Sequence, residues 1–451
     1  MKKLLTLLTQ LFLVLPLLAQ NRMPYILPMR ERAKIQDDLL EDKIRSVLPA
    51  LMDRTGIDMW VIIAREYNED PVIKTMLPAT WLAARRRTIL VFSKPKGTEE
   101  IEALAVARYD VGSIFKKSWE KEKQPDQWKA LLEIIADRNP QKIGINKSVH
   151  FALADGITAS EYDGLMETLP QEYRNRVVSA EKLAIAWLET RTPREMAIYE
   201  QISRIAHTII AEGFSEKVIQ PGVTTTEDVV WWFRERIREL KLTTWFHPTV
   251  DLQRNDPTSE LYAFSGRPGF NIIQPGDLLH CDFGITYLGL NTDTQELAYV
   301  LKPGETAAPA FLNAALKVGN RAQDILTEQF QTEKTGNQIL ANALEQAKRE
   351  SNRITIYTHP IGYHGHAAGP TIGMWDNQGI TPFRGDYPLY PNTAYSIELN
   401  TKVFIDDWKK DIRIMLEEDA FFDGEEVRYI DGRQESLLLI PRQVNHLGNI
   451  K

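Results

Sequence analysis

The stretch LLHCDFGITYLGLNTDTQELAYVL, Leu278–Leu301, decides the fold around the most informative part of this chain. It sets Asp282 and Asp293 eleven positions apart, each among apolar, strand-forming residues. Gly284 and Gly289 between them permit a tight reversal. The pattern therefore predicts a β-hairpin that brings both carboxylates to one point. Exposed turn aspartates are the plainer alternative, because a buried unpaired carboxylate is costly unless a cation compensates for it.

More acidic and histidine side chains follow on successive strand-like segments. They are His359, His364 and His366 in THPIGYHGH, Glu398 in YSIELN, and Glu417, Glu418 and Asp419 in MLEEDA. A glutamate on a sheet face is usually solvated, so each position alone is a weak signal. The order Asp, Asp, His, Glu, Glu on consecutive strands is a stronger one. Carboxylates with one imidazole suit a pair of divalent ions such as Mn, Co, Zn or Fe(II), bridged by carboxylates and a water.

The composition of the 451 residues is that of a globular protein, with 43% hydrophobic and 25% charged residues, and the length allows two domains. The formal net charge is −7 and no basic tract stands out, so we do not expect a nucleic-acid partner. Cys281 is the only cysteine, which excludes an internal disulfide. Next to Asp282 but on the opposite strand face, it is expected to be a small buried apolar residue.

The first twenty residues, MKKLLTLLTQLFLVLPLLAQ, have the organisation of a signal peptide. Lys2 and Lys3 precede an apolar run, and Ala19-Gln20 lies at a plausible cleavage site. A membrane anchor is the alternative, but the run is shorter than the roughly 20 apolar residues that a spanning helix needs. We expect cleavage after residue 20, export to the periplasm or the medium, and no membrane association of the mature chain.

The rest of the chain divides into two predicted domains. Strand-like segments alternate with helical ones over residues 21–185, which predicts an α/β domain. Thr192-Pro193 then begins a long amphipathic helix, and residues 186–451 form the second domain. A single helix is predicted through Leu39–Leu51, and a strand over Ile101–Tyr109.

The spacing of Asp282 and Asp293 resembles that of the pita-bread metallopeptidase family, which includes aminopeptidase P, prolidase and methionine aminopeptidase, with creatinase as a metal-free relative. The resemblance covers nearly the whole mature chain. It implies a creatinase-like α/β domain at residues 21–185, followed by an α+β pita-bread catalytic domain at residues 186–451.

The later residues carry the same resemblance. His359-Pro360-Ile361-Gly362 with His366 is similar to the family's HxIG histidine and a second histidine seven residues on. Glu398 and Glu417 are similar to its two metal-binding glutamates. By resemblance the metal ligands are Asp282, Asp293, His359, Glu398 and Glu417. Glu398 would also shuttle a proton, and His366 would bind the scissile carbonyl or the tetrahedral intermediate.

Some positions depart from the family pattern. Thr358 precedes the first histidine where glycine is usual, and Ala367 follows the second where an acid is usual. A second alignment makes His366 the metal ligand instead of His359. The family's further substrate histidine is absent, since Phe264 and Ser265 occupy its positions. The alternatives for that role are His247 and His364.

The resemblance implies an Xaa-Pro aminopeptidase that uses two divalent metal ions, most simply Mn, acts on short peptides and forms a homodimer. A related metal-dependent C–N hydrolase of a non-peptide substrate, and a binding protein on a retired peptidase scaffold, are the alternatives. Trp375 and Asp376 in TIGMWDNQ are either a substrate wall and an anchor for the peptide amine, or a packed loop.

Overall fold

The computed structural model describes residues 23–95, 98, 100–256 and 271–442. The predicted signal peptide, residues 1–20, lies outside these ranges, as do Phe264 and Ser265. Within the described ranges, no helix combines the length and the apolar character needed to span a bilayer.

The first part of the chain folds as one mixed sheet between helices. Its strands are β1 (Met59–Arg65), β2 (Arg87–Ser93), β3 (Glu102–Ala105), β4 (Lys116–Lys117), β5 (Ile143–Ile145) and β6 (Val177–Ser179). They lie in the order β4-β3-β2-β1-β5-β6. The helices are α1 (Met29–Ser46), α2 (Leu48–Thr55), α3 (Pro71–Lys74), α4 (Gln127–Arg138), α5 (Ala159–Thr168), α6 (Gln171–Arg174) and α7 (Glu181–Glu189).

Side-chain alternation along β1 explains why helices cover both faces of this sheet. Trp60 and Ile62 join the apolar core that includes α1, α2 and α7, whereas Val61 and Ile63 join the core that includes α4 and α5. A strand that is apolar on both faces requires two covering layers. The predicted division between residues 185 and 186 falls inside α7 and stays a prediction.

Two local predictions for this part need correction. The single helix predicted through residues 39–51 is two helices. The first ends before Val47, and Pro49 lies in the first turn of α2. The strand predicted over residues 101–109 ends at Ala105, the last residue in register with β2, because the carbonyl of the next residue, Val106, accepts from the Gln127 side chain of α4 at 2.7 Å. Gly56 ends α2 in a left-handed conformation with φ 64°, as its position indicated.

Residues 190–256 and 271–442 of the second part of the chain contain four sheets. Its strands are β7 (Thr249–Gln253), β8 (Leu278–Phe283), β9 (Thr286–Tyr287), β10 (Leu290–Asn291), β11 (Thr294–Val300), β12 (Arg353–Ile356), β13 (His359–Pro360), β14 (Thr393–Ser396), β15 (Leu399–Ile405), β16 (Lys410–Leu416), β17 (Asp419–Phe422), β18 (Val427–Tyr429) and β19 (Leu438–Ile440). The sheet orders are β19-β11-β8-β7, β12-β15-β16, β13-β14-β17-β18 and β10-β9.

Two pairs of helices cover these sheets from opposite sides. They are α8 (Pro193–Gly213) with α9 (Thr226–Glu239), and α10 (Ala310–Thr327) with α11 (Gly336–Arg349). The predicted start at Thr192-Pro193 is confirmed, with Thr192 and Glu195 forming a capping box. Apolar side chains of α8 and α9 pack against one face of β8 and β11, and α10 packs against the other. The space between these layers holds the polar side chains described next.

Candidate metal centre

The predicted hairpin carries the two aspartates. Strands β8 and β11 pair antiparallel with Asp282 opposite Gln295, and Asp293 lies one residue before β11. Leu288 and Gly289 make the reversal, with φ values of 54° and 82°. Gly284 has a different role, because a Cβ there would lie 2.3 Å from the carbonyl oxygen of Thr292. Any larger residue at position 284 would therefore force the backbone of the hairpin to shift.

The other three predicted ligands lie where strands leave one sheet and join another. Glu398 stands between β14 and β15, and Glu417 between β16 and β17. His359 is on β13, opposite Ser396 of β14. The backbone N–H of Gln295 donates to the carbonyl of Glu417 at 2.9 Å, which joins the hairpin to the bend that carries this glutamate.

All five side chains converge. Ligand atoms of Asp282, Asp293 and Glu417 lie within 4.8 Å of one another, and so do those of His359, Glu398 and Glu417. Exposure is 7% or less for each of these residues except Asp282, which is half-buried. The plainer alternative of exposed turn aspartates is therefore wrong for Asp293, which is 4% exposed.

The imidazole of His359 is oriented as a metal ligand would be. Its Nδ1 lies 3.0 Å from the carbonyl oxygen of Pro360, which can only accept, so Nδ1 carries the proton and Nε2 keeps its lone pair. Nε2 lies 3.9 Å from Asp293 Oδ2 and 4.0 Å from a Glu417 oxygen. Burial, together with the nearby His366, lowers the pKa of His359 to about 3, so the ring is neutral.

Burial and mutual repulsion disfavour the charged forms of two carboxylates of the cluster. Burial raises the pKa of Asp293 well above its usual value, and the charges of Glu417, Asp282 and Glu398 raise it further. Burial, and after it the charge of Asp282, raises the pKa of Glu417 well above its usual value. Among the described residues, Asp293 Oδ1 and His359 Nε2 are buried without a hydrogen-bond partner. Buried oxygen atoms and a lone-pair nitrogen aimed at one point fit divalent cations.

His366 lies at the open side of this cluster. Its ring is 4.7 Å from that of His359, 5.1 Å from Trp245 and 5.8 Å from Tyr357. It is exposed, whereas His359 is buried. One of its nitrogens still lies within 4.8 Å of ligand atoms of Asp293 and His359. His359 takes part in two of the candidate ligand groups and His366 in one.

The remaining candidates from the sequence lie elsewhere. His364 approaches the backbone of Pro71 in α3, and burial lowers its pKa to about 4. His247 accepts a hydrogen bond from Arg234 at 3.0 Å and packs against Trp231. Trp375 lies in a tight turn closed by Met374 and Asn377 and is 42% exposed. Neither His364 nor His247 contributes to the candidate ligand groups of the described residues.

Two polar contacts near the cluster were not predicted from the sequence. Gln295, next but one to Asp293, donates from Nε2 to Glu417 at 2.6 Å and to Glu398 at 3.2 Å. The period of two along a strand placed Gln295 on the site-facing side and could have found it. Ser396 also donates to Glu417, at Oε1.

A second polar group joins α8 to the strand β17. His207 lies 3.0 Å from Glu418 and 2.9 Å from Asp431, with Glu296 at 4.0 Å. Burial alone would lower the pKa of His207, but these carboxylates outweigh it and hold the pKa well above its usual value. Ser203, one helical turn earlier, donates to Asp419 at 3.0 Å. Glu418 thus faces α8. Asp419 lies between α8 and the hairpin, because the backbone N–H of Asp293 also donates to its Oδ1 at 3.2 Å.

Comparisons with known proteins agree with this geometry. A family model described as metallopeptidase family M24 matches residues 197–421, which include all five predicted ligands and His366. No curated protein sequence matches the chain significantly.

The solved structures with similar folds include peptidases and one protein of another kind. An X-Pro aminopeptidase from Thermotoga maritima superposes with a TM-score of 0.60 at 17% identity, covering 86% of this chain and 99% of its own. An Xaa-Pro dipeptidase from Bacillus anthracis superposes with a TM-score of 0.55 at 18% identity, covering 90% of this chain and 99% of its own. The N-terminal domain of the FACT complex subunit SPT16 from Eremothecium gossypii superposes with a TM-score of 0.58 at 13% identity, also covering 90% of this chain and 99% of its own. The chain therefore has the pita-bread fold that its sequence resembled.

Proposed function

Because this chain belongs to metallopeptidase family M24, we propose that it is a dinuclear metal-dependent aminopeptidase that releases the N-terminal residue before proline from short peptides. The proposed metal ligands are Asp282, Asp293, His359, Glu398 and Glu417. The proposed ions are two divalent cations, Mn first, with Co, Zn or Fe as alternatives. The fold alone does not support an aminopeptidase activity, since a FACT complex subunit has a similar fold.

The observation that carries the proposal is the convergence of the five side chains at one buried point. His359 is the preferred histidine ligand because its Nδ1 is fixed by the Pro360 carbonyl and its neutral Nε2 points at Asp293 and Glu417. His366 is exposed and lies on the outer side of His359, where a substrate would arrive. This arrangement supports His366 as a substrate-binding residue.

Each residue then has a distinct task. Divalent ions held by these ligands would lower the pKa of a bound water and supply a hydroxide nucleophile at neutral pH. Glu398, 7% exposed at the bend between β14 and β15, would accept the proton of the water and deliver it to the leaving amine. His366 would donate a hydrogen bond to the scissile carbonyl as its oxygen gains negative charge.

Aromatic side chains beside His366 support a peptide substrate. Trp245 packs edge-on against the His366 ring and donates from Nε1 to the carbonyl of Thr292 at 3.0 Å, so its position relative to the hairpin is fixed. Tyr357 packs against both His359 and His366. A rigid apolar wall next to the proposed carbonyl donor suits an apolar residue such as proline.

The direct test is hydrolysis by the purified chain in the presence of Mn²⁺. A panel of Xaa-Pro dipeptides and tripeptides, with matched Xaa-Ala peptides, should show turnover that depends on proline in the second position. Glu398→Gln should lose about 100-fold or more in kcat, since general acid–base catalysis contributes 10²–10⁴-fold. Glu345→Gln, on the exposed face of α11, is the matched control and should keep full activity.

The outcomes separate the alternatives. Two bound equivalents of metal without turnover of any peptide would favour a C–N hydrolase of a non-peptide substrate. A purified chain that holds no metal and cleaves nothing would favour a binding protein on this scaffold. His366→Ala should raise KM or lower kcat while metal content stays at two equivalents, and loss of metal in that variant would instead favour His366 as the ligand.

Export and dimer formation complete the proposal. The support for export is the organisation of residues 1–20, and the support for a homodimer is the family resemblance. N-terminal sequencing of the mature protein should begin after residue 20. Light scattering of the purified protein should give twice the mass of the mature chain.

A further inference from the structure

Gln295 touches two of the five proposed metal ligands through one amide group. It is 2% exposed on β11, and its Nε2 donates to Glu417 Oε2 at 2.6 Å and to Glu398 Oε1 at 3.2 Å. Both acceptors are carboxylates, which only accept when ionised, so the NH₂ end of the amide must face them. Two glutamates that are 19 positions apart in sequence are thus held by one neutral side chain.

His280 fixes the orientation of that amide from the other side. Its Nε2 lies 2.8 Å from Gln295 Oε1, an acceptor, so Nε2 carries a proton and donates it. His280 is 2% exposed on β8, and its Nδ1 lies 3.8 Å from Asp251 on the neighbouring strand β7. Rotation of the Gln295 amide by half a turn would break this bond and turn its oxygen towards the glutamates.

The contacts leave the glutamates able to bind cations. A carboxylate has about four lone-pair sites, so one or two hydrogen bonds do not exhaust it. Glu417 accepts from Gln295 at Oε2 and from Ser396 at Oε1, which fixes the rotation of its carboxylate. A neutral amide does this without adding charge to a cluster that is already strongly acidic.

We propose that Gln295, oriented by His280, is a positioning residue that holds Glu398 and Glu417 in the geometry required by the metal ions. The inference rests on the proposed function for the metal ligands and adds to it the hydrogen bonds that hold two of them. Removal of such an outer partner typically weakens metal binding by about 10–100-fold.

A double-mutant cycle on the full chain tests the assignment. The variants are Gln295→Met, which keeps the side-chain length and removes the donors, His280→Phe, and the double variant. The readout is the dissociation constant for Mn²⁺ from calorimetry on metal-stripped protein, with far-ultraviolet circular dichroism to establish folding. Gln323→Met is the matched control, because Gln323 is 1% exposed on α10 and its amide makes no hydrogen bond to described residues.

Gln295→Met should weaken Mn²⁺ binding by about 10–100-fold, His280→Phe should weaken it by less, and the double variant should be no weaker than Gln295→Met alone. Gln323→Met should bind as the wild type does. A double variant no weaker than Gln295→Met alone is the decisive result, because independent effects of His280 and Gln295 would add.

Unchanged Mn²⁺ affinity in Gln295→Met would overturn the assignment, and so would effects of the two single substitutions that simply add. If the wild-type protein binds Mn²⁺ but cleaves no peptide, the proposed function is contradicted. The double-mutant cycle still tests the positioning role of Gln295 in that case. Active wild type with unaltered affinity in Gln295→Met contradicts Gln295 alone. Wild-type protein that binds no Mn²⁺ overturns both.

Discussion

Replacing Asp293 with asparagine should stabilise the metal-free protein and abolish its stabilisation by metal ions. The reason is the crowding of negative charge, since oxygens of Asp282, Asp293 and Glu417 lie within 4.8 Å of one another. Asparagine has nearly the same shape, keeps one acceptor and gains a donor that can reach the neighbouring carboxylates. The site would then lose a ligand and a repulsive charge in one step.

The size of the gain follows from the distances. Two unit charges about 5 Å apart repel by about 3 kcal/mol at an effective dielectric constant of about 20. Asp293 has two such neighbours, but the repulsion is limited because a proton can be taken up instead. At about pH 7 that uptake costs an aspartate with its ordinary pKa about 4 kcal/mol. We therefore expect Asp293→Asn to raise the free energy of unfolding by about 2–4 kcal/mol without metal.

The pH dependence has a definite sign. The pKa of Asp293 is raised in the folded state, so its unfavourable charge is absent below the unfolded pKa of about 4 and grows as the pH rises towards the folded value. The advantage of the asparagine variant should therefore increase from about pH 4 to about pH 7.

The assay is unfolding in urea with a chelator present, at both pH values and then with excess Mn²⁺. Asp406→Asn, at an exposed position, is the control for the chemical change and should alter stability by less than about 0.5 kcal/mol. A metal-free Asp293→Asn protein that is less stable than the wild type, or a gain that does not vary with pH, would refute the reasoning.

Three further outcomes follow from the same structure. Gly284→Ala should lose roughly 1–3 kcal/mol of stability and bind Mn²⁺ more weakly by calorimetry, because its Cβ would lie 2.3 Å from the Thr292 oxygen. His207→Leu should lose about 3–5 kcal/mol in urea unfolding, since Glu418 and Asp431 lose a buried partner. That loss should shrink as the pH rises through the raised pKa of His207, above which the wild type also lacks the charge. Mn²⁺ at 100 times its dissociation constant should raise the free energy of unfolding of the wild type by about 2.7 kcal/mol, and a chelator should reverse this.

The local pattern of the chain was sufficient for several structural elements. The two apolar runs that carry Asp282 and Asp293, with glycines between them, predicted the hairpin. Successive side chains of a strand point to opposite faces, so the sequence also predicted which residues share a face with each aspartate. Thr192-Pro193 specified the start of α8 through capping and the fixed φ of proline. Cys281 is buried on the side of β8 that faces α8 and α9. This agrees with the prediction that it lies on the opposite strand face from its neighbour Asp282.

Local pattern was insufficient where an element ended for tertiary reasons. Nothing in the sequence of residues 101–109 marked Ala105 as the last residue of the strand. Beyond it, the Gln127 side chain of α4 donates to the carbonyls of Val106 and Arg87, and this contact depends on how the helix packs on the sheet. The predicted helix through residues 39–51 failed for a local reason that was visible, because Pro49 cannot donate within a helix.

The sequence by itself determined which residue types could hold cations and on which strand faces they stand, since both follow from side-chain chemistry and a period of two. Tertiary structure alone decided which nitrogen of His359 faces the carboxylates, and that Gln295 and His280 support Glu398 and Glu417. The partners of Gln295 lie 103 and 122 positions along the chain. Contacts over such separations depend on how whole sheets and helices pack, and no local pattern encodes them.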